Sequence, residues 1–222
     1  MPTSPACPEL LALAVHEFRT PVTVVAGYLR MLLRNLDEPL SERQRRLVEE
    51  AEKSCGRLAE LVAQMSDLSN LDAGGAPFNR SDVPVFDLLA DAAAGIKEGQ
   101  DRGVQLQVRG AVPGTIVHGD PVRLRAMFTA VLHATAREQT DSVVVLADCA
   151  VRNTDGRWAH VRIGDEASLP LLDAGEGAFD EYRGGIGMVL PIARRIIEAH
   201  GGRLWSPAER RRAATGIALP VK

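Results

Sequence analysis

The sequence has few aromatic residues and few cysteines. Aromatic residues make up only 4% of the 222 positions, whereas 45% hydrophobic and 25% charged residues are ordinary for a soluble globular protein. The three cysteines, Cys7, Cys55 and Cys149, are odd in number and far apart. This spacing argues against a disulfide framework and against a zinc site, and it favours a reducing, cytosolic setting.

The sequence also lacks a dominant charge and a long apolar run. The net charge is -3, and the nearest approach to a basic cluster is the short run Arg210, Arg211 and Arg212. Neither favours a nucleic acid or a membrane surface as a partner. No apolar segment approaches the roughly 20 residues needed to span a bilayer, and the N-terminus does not resemble a signal peptide. We therefore expect a cytoplasmic protein without a membrane segment.

The first seventy residues show the pattern of two long amphipathic helices. In the first, from Leu10 to about Leu36, the apolar residues Leu11, Phe18, Val25 and Leu32 recur every seven positions. Ser41 followed by Gln44 predicts a capping box that opens the second helix. That helix carries two heptad series, Leu47, Ser54, Leu61, Leu68 and Ala51, Leu58, Met65. The pattern predicts an antiparallel helical hairpin.

Such a hairpin has little to bury its apolar stripes against, so it would be marginal alone. Pairing two hairpins gives a four-helix bundle, and we therefore predict a homodimer. The glycines and prolines between Asp72 and Pro84 indicate a linker. The resulting prediction is a helical domain at 1–73, a linker at 74–84 and a second domain at 85–222.

The second domain is predicted to be α+β. Helical patterns cover 86–99, 121–137 and 190–200, and β patterns cover 104–108, 116–118, 142–149, 158–163 and 216–221. The tetrapeptide at 153–156, Asn-Thr-Asp-Gly, is a good hairpin turn between two of these strands. Mixed helices and strands of this kind make an α/β sandwich.

The segment His16-Glu17-Phe18-Arg19-Thr20-Pro21 lies inside the first helix. At about 100° per residue, His16 is roughly 200° from Phe18 and should face solvent rather than the apolar stripe. An exposed neutral imidazole is a competent nucleophile toward a phosphoryl group, and Glu17 is placed to accept its proton. Thr20, one turn along, could position a water, and Pro21 should bend the helix just beyond the site.

This hexapeptide resembles the phosphoacceptor box of sensor histidine kinases. Further segments resemble the catalytic domain of that family, namely Gly119 to Leu124, the phenylalanine box Phe179 to Arg183, the glycine box Gly185 to Met188, the segment Glu198 to Trp205 and the strand Thr215 to Pro220. The resemblance implies a dimeric four-helix bundle followed by an α/β sandwich of the histidine-kinase ATPase type. It makes His16 the phosphorylated residue, Glu17 the general base and Thr20 part of a phosphatase motif.

The resemblance also implies ATP and Mg2+ as cofactors, with Asp165 facing the adenine and Gly185 and Gly187 near the phosphates. The nucleotide motifs are degenerate, because Ala167 and Leu169 replace the glycines that follow Asp165, and Val189 replaces a third glycine. Our alignment places Thr129 and His133 where the family has asparagines, and His133 is a poor ligand for Mg2+. The sequence therefore assigns no residue to the metal. The lid before Gly185 is nearly absent.

Three functions fit these observations. The first is a two-component histidine kinase-like phosphotransferase that is phosphorylated on His16 and passes the phosphate to an aspartate of a response-regulator receiver domain. A separate subunit could then carry the sensor. The second is a histidine phosphotransferase that does not use ATP. The third is a non-catalytic scaffold that binds a response regulator, although it gives no reason for Glu17 and Thr20 beside His16.

Overall fold

The N-terminal part of the chain is a hairpin of two long helices. In the computed structural model, which describes residues 7–35, 38–153, 155–208 and 214–222, α1 spans Cys7–Arg34 and α2 spans Glu42–Asp72. The capping box begins α2 as predicted, because the Ser41 backbone N–H donates to Gln44 Oε1 at 3.0 Å and the Gln44 backbone N–H donates to Ser41 Oγ at 3.4 Å. These two bonds satisfy backbone donors that a helix end otherwise leaves open.

The seam inside the hairpin consists of small residues and differs from the heptad stripe. Among the side chains that the structure describes in this hairpin, the buried ones are Val15, Ala26, Cys55, Val62 and Ser69. The Cys55 thiol reaches the Val22 carbonyl oxygen at 3.4 Å, which joins the two helices near their middle. The stripe residues Phe18, Val25 and Leu32 remain 55%, 50% and 45% exposed in the single chain. The hairpin therefore closes on one face of each helix and leaves a second apolar face uncovered.

The chain divides into two units, residues 1–76 and 77–222, so the division lies inside the segment 74–84 that was predicted as a linker. The end of that segment is a strand, β1 (Ser81–Pro84), which pairs antiparallel with β3 (Ile116–Gly119). Between them lie α3 (Val85–Ala94), a 3-10 turn at Gln100–Arg102 and β2 (Gln105–Arg109). Helix α3 is shorter than the predicted 86–99, because Gly95 caps it and Gly99 adopts a positive φ of 81°.

The remainder of unit 2 alternates helices and strands. In chain order these are α4 (Pro121–Arg137), β4 (Val144–Asn153), β5 (Arg157–Asp165), α5 (Leu171–Ala174), β6 (Glu176–Gly177), a 3-10 turn at Arg183–Gly185, α6 (Val189–Ala199), β7 (Arg203–Pro207) and β8 (Thr215–Pro220). Helix α4 matches its predicted bounds. Strands β4 and β5 are longer than predicted, and they run antiparallel in register from Asn153 opposite Arg157 to Val145 opposite Asp165.

The described strands form a six-stranded sheet in the order β2-β4-β5-β8-β7-β6, beside the two-stranded β1-β3 pair. Strands β2 and β4 are parallel, and the other neighbours are antiparallel. Helices α4 and α6 contact each other, and α3 contacts α4. Side chains that are fully buried come from these helices and from the sheet: Leu89, Leu124, Met127, Phe128, Leu132, Ile163, Leu190, Ile197 and Ile217. Unit 2 is thus an α/β sandwich, as the sequence predicts.

Gly119, Asp120 and Pro121 each have a structural role at the start of α4. Asp120 caps the helix by accepting from the backbone N–H groups of Val122 and Arg123, both at 3.0 Å, and Pro121 occupies the first turn where no donor is needed. The backbone N–H of Asp120 donates to His200 Nε2 at 2.9 Å. Gly119 lies against the same ring, because a Cβ there would come within 2.6 Å of His200 Cδ2.

No helix in the described residues is both long and apolar enough to cross a membrane. Two features of the sequence fall outside those residues. The arginine run at 210–212 lies wholly outside them, and so does Thr154 in the predicted turn, although the β4-β5 hairpin on either side of it is present.

Two buried histidines make the stability of unit 2 depend on pH. Burial and the nearby positive charge of Arg152 and Arg203 lower the pKa of His160 to about 4, and burial lowers the pKa of His200. The unfolded chain takes up these protons near pH 6.5, whereas the folded chain resists them. The contribution of the two neutral histidines to the free energy of unfolding is therefore fully present above about pH 6.5, and it is lost as the pH falls from there toward 4.

We expect the free energy of unfolding to fall by roughly 1–2 kcal/mol between pH 7.5 and pH 5, after allowance for screening. Urea titrations followed by tryptophan fluorescence measure this directly, because both tryptophans, Trp158 and Trp205, lie in unit 2. A His160→Phe variant should lose most of the pH dependence. An unchanged slope in that variant would show that other groups cause it.

Candidate functional site

His16 is exposed on α1, one position after the buried Val15. Because successive residues in a helix are about 100° apart, the imidazole projects beside the seam rather than into it. Phe18 lies on the other side of that seam. The local sequence therefore keeps the histidine in solvent while Val15 anchors its turn against α2.

A small groove opens beside His16 within the hairpin. Its volume is about 170 Å³, and its lining residues are Ala12, Val15, His16 and Arg19 of α1 with Ser66, Ser69 and Asn70 of α2. Arg19 contributes a cation, and the two serines and Asn70 contribute polar groups. Donors of this kind suit an anionic tetrahedral group attached to the imidazole.

Glu17 and Thr20 are also exposed, and both lie within about one turn of His16. Helix α1 continues through Pro21 to Arg34. Since Pro21 has no N–H, the Glu17 carbonyl cannot receive its usual bond from the residue four positions ahead. Just beyond it, the Thr23 hydroxyl donates to the Arg19 carbonyl at 2.8 Å. The three residues predicted to act together, His16, Glu17 and Thr20, thus share one accessible stretch of helix.

The residues predicted to meet a nucleotide lie in unit 2. Asp165 ends β5, and its Oδ1 accepts from the Ser168 backbone N–H at 2.7 Å while the Ser168 hydroxyl donates to the Asp165 carbonyl at 3.0 Å. This carboxylate holds the turn that leads toward α5. Gly185 and Gly187 have positive φ values of 58° and 73°, a backbone conformation that favours glycine.

The face of α4 that meets this glycine segment carries Ala134. A Cβ on Gly184 would come within 3.3 Å of Ala134 Cβ, so the segment packs directly on the helix there. Thr129 is exposed elsewhere on α4, and His133 Nε2 lies 3.3 Å from a carboxylate oxygen of Glu98. The alignment of Thr129 and His133 with the family's asparagines stays a prediction, and the residue of α4 next to Gly184 is Ala134, one position after His133. A shift of one residue turns a helical position by about 100°.

Sequence reasoning missed Arg183 as a buried residue. Its side chain is only 7% exposed, and Nη1 donates to Glu138 Oε2 at 2.8 Å. Nη2 donates to the Thr135 hydroxyl at 3.0 Å and also to the Thr215 hydroxyl. Burial lowers the pKa of Arg183 and the neighbouring Glu138 opposes that shift, so the group stays a cation. The guanidinium ties the turn before Gly185 to both α4 and β8.

These residues do not fit a bound ATP with Mg2+. The glycine segment rests on Ala134 of α4, whose methyl group offers no oxygen ligand to Mg2+. Within residues 7–35, 38–153, 155–208 and 214–222, no cluster of three or more His, Cys, Asp or Glu side chains could hold a metal ion. The space between α4 and β8 already contains a guanidinium.

Comparison with known proteins finds a matching domain family and similar sensor proteins. Residues 9–74 match the family of the His Kinase A (phospho-acceptor) domain. The sequence is 27% identical to the phosphate regulon sensor protein PhoR of Pseudomonas aeruginosa, over 88% of this chain and 46% of PhoR. It is 30% identical to the signal transduction histidine-protein kinase BaeS of Escherichia coli K12, over 88% of this chain and 43% of BaeS.

A solved structure agrees with this placement at the level of the fold. Full-length ShkA, crystallised in complex with AMPPNP, superposes with a TM-score of 0.74 at 23% sequence identity, over 97% of this chain and 46% of ShkA. Residues 9–74 thus belong to the His Kinase A (phospho-acceptor) domain family, and the chain is similar to sensor histidine kinases over most of its length. It spans less than half the length of each of these relatives.

Proposed function

We propose that this chain works in two-component signalling as a histidine kinase-like phosphotransferase, with His16 as the phosphorylated residue. The observation that carries the proposal is the placement of His16, exposed beside Glu17 and next to a groove with polar lining. The family of the phosphoacceptor domain supports it. The same family favours a signalling role in phosphotransfer over that of a non-catalytic scaffold.

In the proposed reaction, a lone pair of the neutral His16 imidazole attacks the phosphorus of a phosphoryl donor. The bond between phosphorus and the donor's leaving oxygen breaks, and the proton on the other ring nitrogen passes to Glu17. An aspartate of a response-regulator receiver domain then attacks the phosphorus, and the P–N bond breaks. Thr20 positions a water for the competing hydrolysis, which returns inorganic phosphate.

The test supplies the purified chain with a labelled phosphoryl donor. One arm uses γ-labelled ATP with Mg2+, and the other uses receiver domains charged with labelled acetyl phosphate. Label that is released by acid and retained in base, as expected for phosphohistidine, supports the proposal from either arm. Absence of label from both arms contradicts it.

We also propose that the uncovered apolar face of the hairpin is covered by a second copy of the chain. That face includes Leu13, Phe18, Val24, Val25, Tyr28, Met31, Leu32, Leu47, Leu58 and Leu61, which are between 37% and 68% exposed. Burying them against a second hairpin completes a four-helix bundle. The match to the His Kinase A domain supports this assembly.

A charge on this face should dissociate the dimer. Leu32→Glu would place a carboxylate in the apolar contact, and we expect the dissociation constant to rise by roughly 100-fold. Thr23→Glu is the matched control, because position 23 is half a turn away from Leu32 around α1. Sedimentation analysis distinguishes the outcomes. A wild-type chain that sediments as a monomer, or equal effects of the two variants, would count against the proposal.

A further inference from the structure

Arg183 is buried at the point where the resemblance places a nucleotide. The guanidinium lies against Thr135 and Glu138 of α4 and against Thr215 of β8. Thr215 pairs with Ile163 of β5, two residues before Asp165. The cation therefore lies between α4 and β8, beside the strand that leads to Asp165 and just before the glycine segment.

The segment that carries Arg183 is fixed on both sides. Phe179 is buried, and the Asp180 backbone N–H donates to Ser206 Oγ at 3.1 Å. The Glu181 carboxylate pairs with Arg195 of α6 at 3.2 Å. Withdrawing the guanidinium would mean breaking these bonds together with its own three, so the segment closes the space instead of opening as a lid.

The glycines after Arg183 bring the backbone itself into the same space. Gly184 has a φ of 73° and approaches Ala134 so closely that an added Cβ would lie 3.3 Å from Ala134 Cβ and 3.5 Å from the Ala134 carbonyl oxygen. A nucleotide phosphate cannot enter between two surfaces in van der Waals contact.

The burial of the Arg183 guanidinium does not stabilise the fold by itself. The desolvation penalty of a buried cation is offset only when all of its N–H donors form hydrogen bonds. Nε of Arg183, however, is a buried side-chain nitrogen with no hydrogen-bond partner in the described part of the chain. An apolar side chain of similar length would avoid this cost. Exclusion of a nucleotide thus explains a buried arginine at this position better than stabilisation of unit 2 does.

We propose that Arg183 is a built-in occupant of the nucleotide site and closes unit 2 to ATP. Phosphoryl groups then reach His16 from a phosphorylated receiver domain and not from this unit. The occupancy of the site concerns unit 2 alone and holds whether or not His16 is phosphorylated.

Calorimetric titration of the full wild-type chain with ATP and Mg2+ is the first test. We expect no saturable binding up to millimolar nucleotide. Saturable binding at micromolar concentrations overturns the proposal, and a loss of that binding in Arg183→Ala would further show that the guanidinium serves the phosphates instead of excluding them.

Chemical rescue is the second test. Arg183→Ala should lower the melting temperature of unit 2, read by tryptophan fluorescence, by roughly 10 °C. Methylguanidinium at non-denaturing concentration should enter the vacated space and recover a large part of that loss. Arg183→Met, which refills the space with an apolar stem, should melt near the wild-type temperature and gain nothing from methylguanidinium.

The two variants separate an occupied site from general destabilisation. Equal responses of the wild type and Arg183→Ala to methylguanidinium would overturn the proposal, because no guanidinium-shaped space would then have been opened. If Arg183→Ala does not fold, the ATP titration of the wild type is sufficient. Saturable ATP binding would refute the proposal that Arg183 occupies the nucleotide site, and absence of binding would support it.

Discussion

Replacing His16 with glutamine should reduce phosphoryl incorporation into the chain to background, a loss of at least about 1,000-fold. Glutamine keeps the polarity and approximate length of the side chain but has no nitrogen lone pair able to attack phosphorus. Since the His16 side chain is exposed, the substitution should leave the fold unchanged. The measurement is acid-labile label on the chain after incubation with a labelled phosphorylated receiver domain.

The matched control is His118→Gln. His118 is another exposed histidine, with a side chain that is 57% accessible, and its Nδ1 lies 3.5 Å from a carboxylate oxygen of Asp82 in the β1-β3 pair. This variant should accept label at the wild-type level. Equal labelling of the two variants would show that the phosphoryl group resides elsewhere, and peptide mapping would then identify the residue.

Glu17→Gln provides a graded arm of the same experiment. It keeps the shape of the neighbour but removes the carboxylate that accepts the imidazole proton, so the rate of labelling should fall by roughly 100-fold while the final extent is preserved. A rate equal to the wild-type rate would remove Glu17 from the mechanism and leave the nucleophile assignment intact.

The helical elements were predictable because their signals are local. Ser41 and Gln44 are three residues apart, and so the capping box could be read from the sequence and is present in the structure. Asp120 and Pro121 define the start of α4 in the same way. Heptad spacing predicts an apolar stripe but not the partner that covers it. The hairpin itself closes through the seam of small residues around Val15 and Cys55 and leaves that stripe exposed.

The less predictable features depend on residues far apart in the chain. Strand β1 contains Asp82 and Pro84 and follows two glycines, so its sequence is typical of a linker, and only its pairing with β3 makes it a strand. Arg183 gives no sign of burial by itself, because its partners Glu138 and Thr215 are 45 and 32 positions away. On α4 the residue next to Gly184 is Ala134, one position after the aligned His133, and the local sequence gives no sign of that contact.

The largest expected loss of stability comes from a glycine that the sequence did not single out. Gly216 lies on β8 opposite Trp205 on β7, and the indole lies over it, so that a Cβ at this position would come within 2.0 Å of Trp205 Cε2. The indole has little room to move. It is 6% exposed, its Nε1 donates to the Leu172 carbonyl at 3.4 Å, and its ring packs edge-on against His160 at 5.9 Å between centroids.

Gly216→Ala should therefore destabilise unit 2 by about 3 kcal/mol or more and lower its melting temperature by roughly 10 °C. Gly56→Ala is the control, because nothing lies within 4 Å of a Cβ at that exposed position. Tryptophan fluorescence follows the transition. A melting temperature close to that of the wild type would mean that the indole can leave its site without cost.

A double-mutant cycle assigns the loss to the contact with Trp205. Trp205→Leu alone should be destabilising, since it removes a large buried aromatic side chain from a cluster that also contains Leu146, Leu169 and Leu172. Adding Gly216→Ala to that background should cost little, because the ring that it would meet is gone. The resulting coupling, about 2 kcal/mol or more, would identify steric exclusion rather than a change in strand propensity as the cause. Trp158 remains as the fluorescent reporter of unit 2 in both Trp205 variants.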